Sequence, residues 1–186
     1  MKNTGFTLLE GLVTLTVAII FSLLAIPEFA DLLARQRATA AINQMLGAIH
    51  MTRHAAISQR RLTVLCASEE RACLGRNEWH RGAMVFADLN GDGKRAQAEP
   101  VITQLPPLHT GARVSWRSFQ NKPYIRFRPN GATDWQNGSF TYCPGNGDLS
   151  LAKRITLNVQ GRVAKSTDRN QDGIDEDGRG RPLRCG

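Results

Sequence analysis

The chain has 186 residues and a mass of 20.5 kDa, room for one ordinary domain. At 41% hydrophobic and 22% charged residues its composition is globular, which excludes a disordered chain. The net charge is +8, carried by 19 Arg against 5 Lys; an Arg excess suits planar, bidentate contact with phosphate or carboxylate, so nucleic acid or membrane headgroups are the expected partners.

From position 6 to position 27 the only charge is Glu10. That stretch is close to the ~20 residues a helix needs to cross a bilayer. It is longer than the ~7–15-residue apolar region of a secretory signal, and no small-residue cleavage site follows Ile26-Pro27-Glu28. Thr14, Thr16 and Ser22 are too few to give a soluble helix its polar face. Lys2 ahead of the span favours a cytoplasmic N-terminus, with the remainder outside the cytoplasmic membrane. A lone Glu in such a span is costly in lipid and calls for a partner.

The run Gly5-Phe6-Thr7-Leu8-Leu9-Glu10 resembles the leader junction of type IV prepilins and type II secretion pseudopilins. The resemblance implies that a prepilin peptidase cuts between Gly5 and Phe6 and that Phe6 is N-methylated. It also implies that Glu10 pairs with the terminal amine of a neighbouring subunit in a filament. Residues 1–5 are then a leader and 6–27 a transmembrane segment in the inner membrane.

After Pro27 the helical period continues as an amphipathic half, 28–58, with Phe29, Leu32 and Leu33 on one face. Ile42, Met45, Leu46, Ile49 and Arg53 carry that face on. Pro27 and Gly47 are the positions expected to bend or loosen the helix. His50 and His54 lie one turn apart without a third ligand or a Glu between them, so they read as helix-surface residues, as do His80 and His109 off any metal spacing. From 59 to 165 the period falls to two, with strands expected at 62–67, 83–87, 101–105, 112–119, 124–128, 139–143 and 154–159. Asn90-Gly91, Pro106-Pro107, Pro129-Asn130-Gly131 and Pro144-Gly145-Asn146-Gly147 separate them. This body resembles the GspH/FimT branch of minor pilins. The likeness lies in Cys66 and Cys73 around a short loop, Trp79 before Gly82, and the run from Met84 to Gly91. Phe127-x-Pro129-x-Gly131 and Phe140-x-x-Cys143 add to it. The implied fold is α+β and type IV pilin-like: a long N-terminal helix, half transmembrane and half amphipathic, packed on an antiparallel GspH-like β domain.

Outside the cytoplasm four cysteines are free to form disulfides, in any of three pairings. Cys66–Cys73 with Cys143–Cys185 is preferred, because the others leave the short loop open and put the tail cysteine on it. Asp88, Asn90, Asp92, the Lys94 carbonyl and Glu99 meet the ligand spacing of a helix–loop–helix calcium site. A strand precedes them, and Asn90-Gly91 with Asp92-Gly93 equally reads as a hairpin turn. Asp168, Asn170 and Asp172 repeat the opening of that pattern, with Arg179 where its last carboxylate belongs. Calcium is the single cofactor candidate; none is otherwise expected.

The tail, 166–186, ends Gly178-Arg179-Gly180-Arg181-Pro182-Leu183-Arg184-Cys185-Gly186. Glycines let backbone approach a ligand, and guanidinium groups hold phosphates without reading bases. Gly178-Arg179-Gly180-Arg181 matches the Gly-Arg-x-Arg tail of FimT-type pilins, which implies duplex DNA binding during natural transformation. The expected contacts are Arg179, Arg181 and Arg184 with Gly178 and Gly180, supported by Arg162, Lys165 and Arg169; Asp172, Asp175, Glu176 and Asp177 oppose a uniformly basic patch. No phosphate-binding loop, nucleophile elbow or dinucleotide fingerprint is present, so no enzyme is expected. The rival readings are a pseudopilin or pilus-priming minor pilin that binds only other major and minor pilins, and a membrane-anchored calcium module. On the pilin readings the domain faces the periplasm and later stands in a pilus at the cell surface.

Overall fold

The structure is a computed structural model and describes residues 7–75, 77–108 and 111–185. The expectations on Gly5, Phe6 and His109 lie outside the described residues. The chain divides into two units, Met1–Gln36 and Arg37–Gly186. One helix, α1 (Leu8–Gln59, 52 residues), has its first part in the former and its second in the latter.

In the first unit the Thr7 hydroxyl accepts the Glu10 backbone N–H at 3.3 Å and opens α1 as an N-cap. Leu8, Leu12, Ile19, Phe21 and Leu24 are all exposed, and an 18-residue window reaches a mean hydropathy of 2.3. This stretch is long and apolar enough to cross a membrane. Thr14, Thr16 and Ser22 donate their hydroxyls to the carbonyls of Gly11, Leu12 and Ala18 at 2.9, 2.6 and 2.8 Å. Satisfied this way, they do not oppose burial in lipid. Phe29, Leu32 and Leu33, expected on the packed face, are exposed in this unit.

In the second unit the buried stripe of α1 is Ala38, Ala41, Ile42, Met45, Ala48, Ile49, Thr52, Ala55 and Ala56, spaced by threes and fours. Small residues let the helix lie close to the β body. Gln44 Nε2 donates to the Pro106 carbonyl at 2.9 Å, and Arg53 Nε donates to the Gly131 carbonyl at 2.9 Å. His50 and His54 are exposed, as expected of surface residues.

The strands are β1 (Thr63–Glu69), β2 (Ala72–Cys73), β3 (Ala83–Ala87), β4 (Val101–Leu105), β5 (Arg113–Ser118), β6 (Tyr124–Phe127), β7 (Gly138–Cys143), β8 (Lys153–Leu157) and β9 (Val163–Lys165). All pairs are antiparallel. One sheet runs β2-β1-β3-β4, with β6 also on β1; the other runs β5-β7-β8-β9. Buried on both faces, β1 and β3 read as apolar runs (Val64-Leu65-Cys66-Ala67, Ala83–Ala87) rather than alternations. Between the sheets Trp79 meets Phe140 edge-on, with centroids at 4.7 Å, and Trp116 lies 4.4 Å from the same ring. Gly82 explains why Trp79 is followed by a glycine: at φ 123°, a Cβ there would sit 2.9 Å from the Leu105 carbonyl oxygen.

Both preferred disulfides are present. Cys66–Cys73 closes the β1–β2 turn and Cys143–Cys185 ties the tail to the end of β7, with Cα separations of 5.7 and 5.8 Å. The seven expected strands are all found. The two additional strands, β2 and β9, are too short to show a period in the sequence.

Candidate nucleic-acid interface

The outer face of the second sheet is polar and basic because β5 alternates. Val114 and Trp116 point into the core, so Arg113, Ser115 and Arg117 point out. Register places Ser115 beside Thr141, Arg117 beside Ser139, and Thr141 beside Arg154. Arg154 Nε donates to the Thr141 hydroxyl at 3.0 Å, which lays its guanidinium across the sheet rather than out into water.

The tail crosses this face as an ordered hairpin. Glu176 bridges both Thr167 and Pro182, and Leu183 N–H donates to the Asp175 carbonyl at 2.9 Å. Leu183 is 1% exposed, so the tail is anchored by an apolar side chain as well as by Cys185. At the turn the Asp177 carboxylate accepts the N–H groups of Arg179 and Arg181 at 2.9 and 3.1 Å. It also accepts Arg181 Nε and Nη2 at 3.1 and 2.8 Å. Those Arg181 bonds, with the N–H bonds of Arg181 and Arg179, pull Asp177 down to about 2. Gly180, at φ 73°, makes the turn possible.

Strand and tail enclose a groove of about 560 Å³ lined by Ser115, Arg117, Thr141, Arg154, Arg181 and Arg184, with Asp177 its one acid. Burial holds the Arg154 guanidinium below its ordinary value. Asp177 opposes that shift, while Arg117 and Arg181 add repulsion. Four guanidinium groups against one carboxylate, over a floor of hydroxyls, form a site for an anion with several oxygens.

Two other acids of the tail are buried and paired. Asp175 and Glu176 are 4% and 5% exposed. Asp175 accepts Lys153 Nζ at 2.8 Å and the Ser166 hydroxyl at 2.6 Å; Glu176 accepts the Arg169 N–H at 2.8 Å. Folding thus buries and pairs Asp175 and Glu176, while Asp172 stays exposed and Asp177 lies in the groove itself.

Of the expected contacts, Arg181 and Arg184 line the groove, and Arg179 stands exposed at the tip between Gly178 and Gly180. Arg162, Lys165 and Arg169 do not line it. Arg162 and Arg169 are exposed outside it, and Lys165, on β9, donates to Asn43 Oδ1 at 2.9 Å. Arg117 and Arg154 were not foreseen; the alternation Arg113-Val114-Ser115-Trp116-Arg117 was the signal that places Arg117 outward. Glu10 is exposed, and no cation pairs with it among the described residues.

The two acidic loops share one hydrogen-bond pattern. Asp88 accepts the N–H groups of Gly91 and Gly93 at 2.8 and 3.1 Å; Glu99 accepts those of Leu89 and Ala96 at 2.7 and 2.8 Å. Asn90 and Asp92 interlock, and Asp92 accepts the Lys94 N–H at 2.7 Å. In the second loop, carboxylate oxygens of Asp168, Asp172 and Glu176 lie within 4.8 Å of one another. Glu176 takes the place that spacing alone had given to Arg179.

The family model for Type II transport protein GspH matches residues 41–161. Among solved structures, the type IV minor pilin FimU of Pseudomonas aeruginosa is similar at a TM-score of 0.57 and 16% identity. That match covers 72% of this chain and 90% of the other. The minor pseudopilin EpsH from the Type 2 Secretion System of Vibrio cholerae is similar at a TM-score of 0.51 and 11% identity, covering 69% and 95%. At these identities the likeness is one of fold: a long N-terminal helix on antiparallel sheets. No curated protein matches the sequence.

Proposed function

The chain belongs to the GspH family of minor pilins and pseudopilins, and we propose that it is a minor type IV pilin that binds duplex DNA without sequence preference, for uptake in natural transformation. The observation that carries this reading is the groove under the tail, where Arg117, Arg154, Arg181 and Arg184 face one carboxylate. Backbone phosphates supply the oxygens those groups lack, and contacts to phosphate carry no base sequence. Arg179 extends the contact from the tip. Weak contacts on several subunits would add by valency. The work is adsorption, not catalysis.

The apolar part of α1 anchors the chain in the inner membrane with the β body in the periplasm, and the subunit then enters a pilus at the cell surface. A prepilin peptidase processes the Gly5-Phe6 junction, and Glu10 pairs with a neighbouring subunit, because a carboxylate in lipid needs a cation. Other major and minor pilins are its assembly partners. The structural neighbour EpsH, a pseudopilin, favours as second reading a purely structural subunit, which has no use for a basic groove.

The test is anisotropy of a labelled duplex with the full chain in neutral detergent across a salt series. Affinity should fall with salt at about −0.9 in log–log slope for each phosphate neutralised, near −3 in total for three to four contacts. Arg179→Gln/Arg181→Gln should weaken binding on the order of ten-fold and cut the slope by about 1–2. A double variant that binds like wild type rejects the tail as the contact. In cells, lost transformation with intact piliation supports DNA capture; lost piliation supports the structural subunit.

A further inference from the structure

Beyond the groove, β5 runs into a turn that presents an aromatic side chain to solvent. Phe119 is 57% exposed and Trp135 is 60% exposed; they are the two exposed aromatic side chains among the described residues of the second unit. Their loops are joined, because Phe119 N–H donates to the Asn137 carbonyl at 2.8 Å. The first turn is closed at its base by Lys122, whose carbonyl accepts Trp116 Nε1 at 3.1 Å and the Ser118 hydroxyl at 2.9 Å. Gln120 and Asn121 within it are left-handed, at φ 59° and 58°.

Trp135 is also left-handed, at φ 63°, a conformation that a bulky side chain disfavours. Its neighbours impose it. Asp134 N–H donates to the Arg126 carbonyl at 2.9 Å, and its carboxylate is held by the Arg126 and Arg128 guanidinium groups. On the other side Gln136 is buried, its Oε1 accepting the Arg126 N–H at 3.1 Å. With both flanks pinned to one residue of β6, the indole is forced outward. Glycine or asparagine would take this backbone more readily, so strain at a rigidly held, exposed aromatic points to a use for the ring.

Two cations that form no ion pair among the described residues flank Phe119 along the chain. Lys122 closes the turn, and Arg117 is two residues from Phe119, at most about 7 Å along the chain. Neither forms an ion pair among the described residues. Arg117 also lines the phosphate groove. Exposed flat rings on two joined loops, one of them leading out of a strand whose Arg117 lines the phosphate groove, suit unstacked bases: the π-face of any base stacks on a ring while a cation holds its phosphate.

We infer that Phe119 and Trp135 form a stacking platform for unpaired bases, so that the protein takes single-stranded DNA, or the frayed end of a duplex, at this end of the groove. The inference rests on the DNA-binding reading above. The chain has three Trp, and Trp79 and Trp116 are 1% and 0% exposed, so quenching by a bound base reports on Trp135.

The experiment titrates the full chain, in neutral detergent, with a single-stranded oligothymidylate and separately with a closed hairpin duplex, following tryptophan emission and anisotropy. The single strand should quench emission and the duplex should not. Trp135→Asn, which suits the left-handed backbone, should lower single-strand affinity about ten-fold and leave duplex affinity unchanged; Phe119→Ser should act in the same direction. If the duplex binds but the single strand leaves emission unaltered and binds Trp135→Asn as well as wild type, the platform is overturned and DNA binding stands. Failure of wild type to bind either DNA removes the parent reading and this one with it. A folded Trp135→Asn protein that binds both DNAs normally but is lost from pili also overturns the platform, and makes the patch a contact between pilins.

Discussion

Residues 88–93 and 168–173 spell the same pattern, Asp-x-Asn-x-Asp-Gly, and fold into the same turn. In each, the leading Asp accepts the N–H groups three and five residues on, and the Asn side chain interlocks with the second Asp. Their surroundings differ. Around the first, the Asp88 side chain has no exposure and accepts Arg126 Nη1 at 3.3 Å. Arg126 also donates to the Gly91 carbonyl, and Gly93 lies against the Tyr124 ring. Around the second, no cation pairs with Asp168, Asp172 or Glu176 among the described residues, and Gly173 faces open space. One local code thus builds both a keystone of the core and a surface turn. The same contrast holds for the arginines: Arg126 is paired with Asp88 and Asp134, while Arg117 forms no ion pair among the described residues.

Alanine at the two loop glycines should separate them most widely. Both have positive φ, 73° at Gly93 and 88° at Gly173, so each substitution carries the left-handed cost of about 1–2 kcal/mol. At Gly93 the new Cβ would also lie 2.3 to 2.7 Å from the Tyr124 ring, which packs on the cluster of Val64, Cys66, Met84 and Phe86. Overpacking adds about 1–3 kcal/mol. Urea unfolding should give Gly93→Ala a loss of about 2–5 kcal/mol and Gly173→Ala about 1–2. Equal losses would mean that the ring is not the constraint. Tyr124→Ala in the Gly93→Ala background should recover the excess if it is.

Asn at the leading acids is the second contrast. Asp88→Asn leaves one acceptor oxygen for two backbone donors and puts an amide against a buried guanidinium; about 2–4 kcal/mol should be lost. Asp168→Asn, half-buried and without a cation, should cost about 1 kcal/mol. The difference in urea midpoints between the two variants is the measurement.

The contrast marks what could be read in advance. Both turns, the long helix, the seven longer strands and the Arg tail are written in local residues and their spacing, and spacing is what a sequence displays. The partners that give each loop its role come from far along the chain, Arg126 to Asp88 and Lys153 to Asp175, and no spacing rule links them. Arg117 and Arg154 joined the tail for the same reason: the β5–β7–β8 register and the Cys143–Cys185 bridge bring them together. Glu176 joins Asp168 and Asp172 although the helix–loop–helix spacing leads to position 179, because the chain here turns back as a hairpin. Trp135 is exposed because Arg126 pins both of its neighbours, a fact of packing with no trace in Asp134-Trp135-Gln136.

Acid titration should show the smallest effect, and it separates the Arg181 pair of the tail from the Arg126 network of the body. Asp177 is held at about 2 by Arg181 and the turn N–H groups. A carboxylate depressed in the folded state contributes stability above its ordinary value near 3.9, and that contribution is lost as pH falls through the folded value. The tail turn should therefore keep its hydrogen bonds down to about pH 3 and lose them near 2, read as the Asp177 carboxyl inflection by NMR. Arg181→Gln removes the largest cause and should move the inflection up toward the ordinary value while the disulfide and Leu183 keep the tail in place. Asp134 is the control. Burial raises it, but the hydrogen bonds from Arg126 and Arg128 outweigh burial and lower it, and neither cation is in the tail. Its inflection should not respond to Arg181→Gln. If it does, the tail and the Arg126 network are coupled, and the separation drawn between the two regions fails.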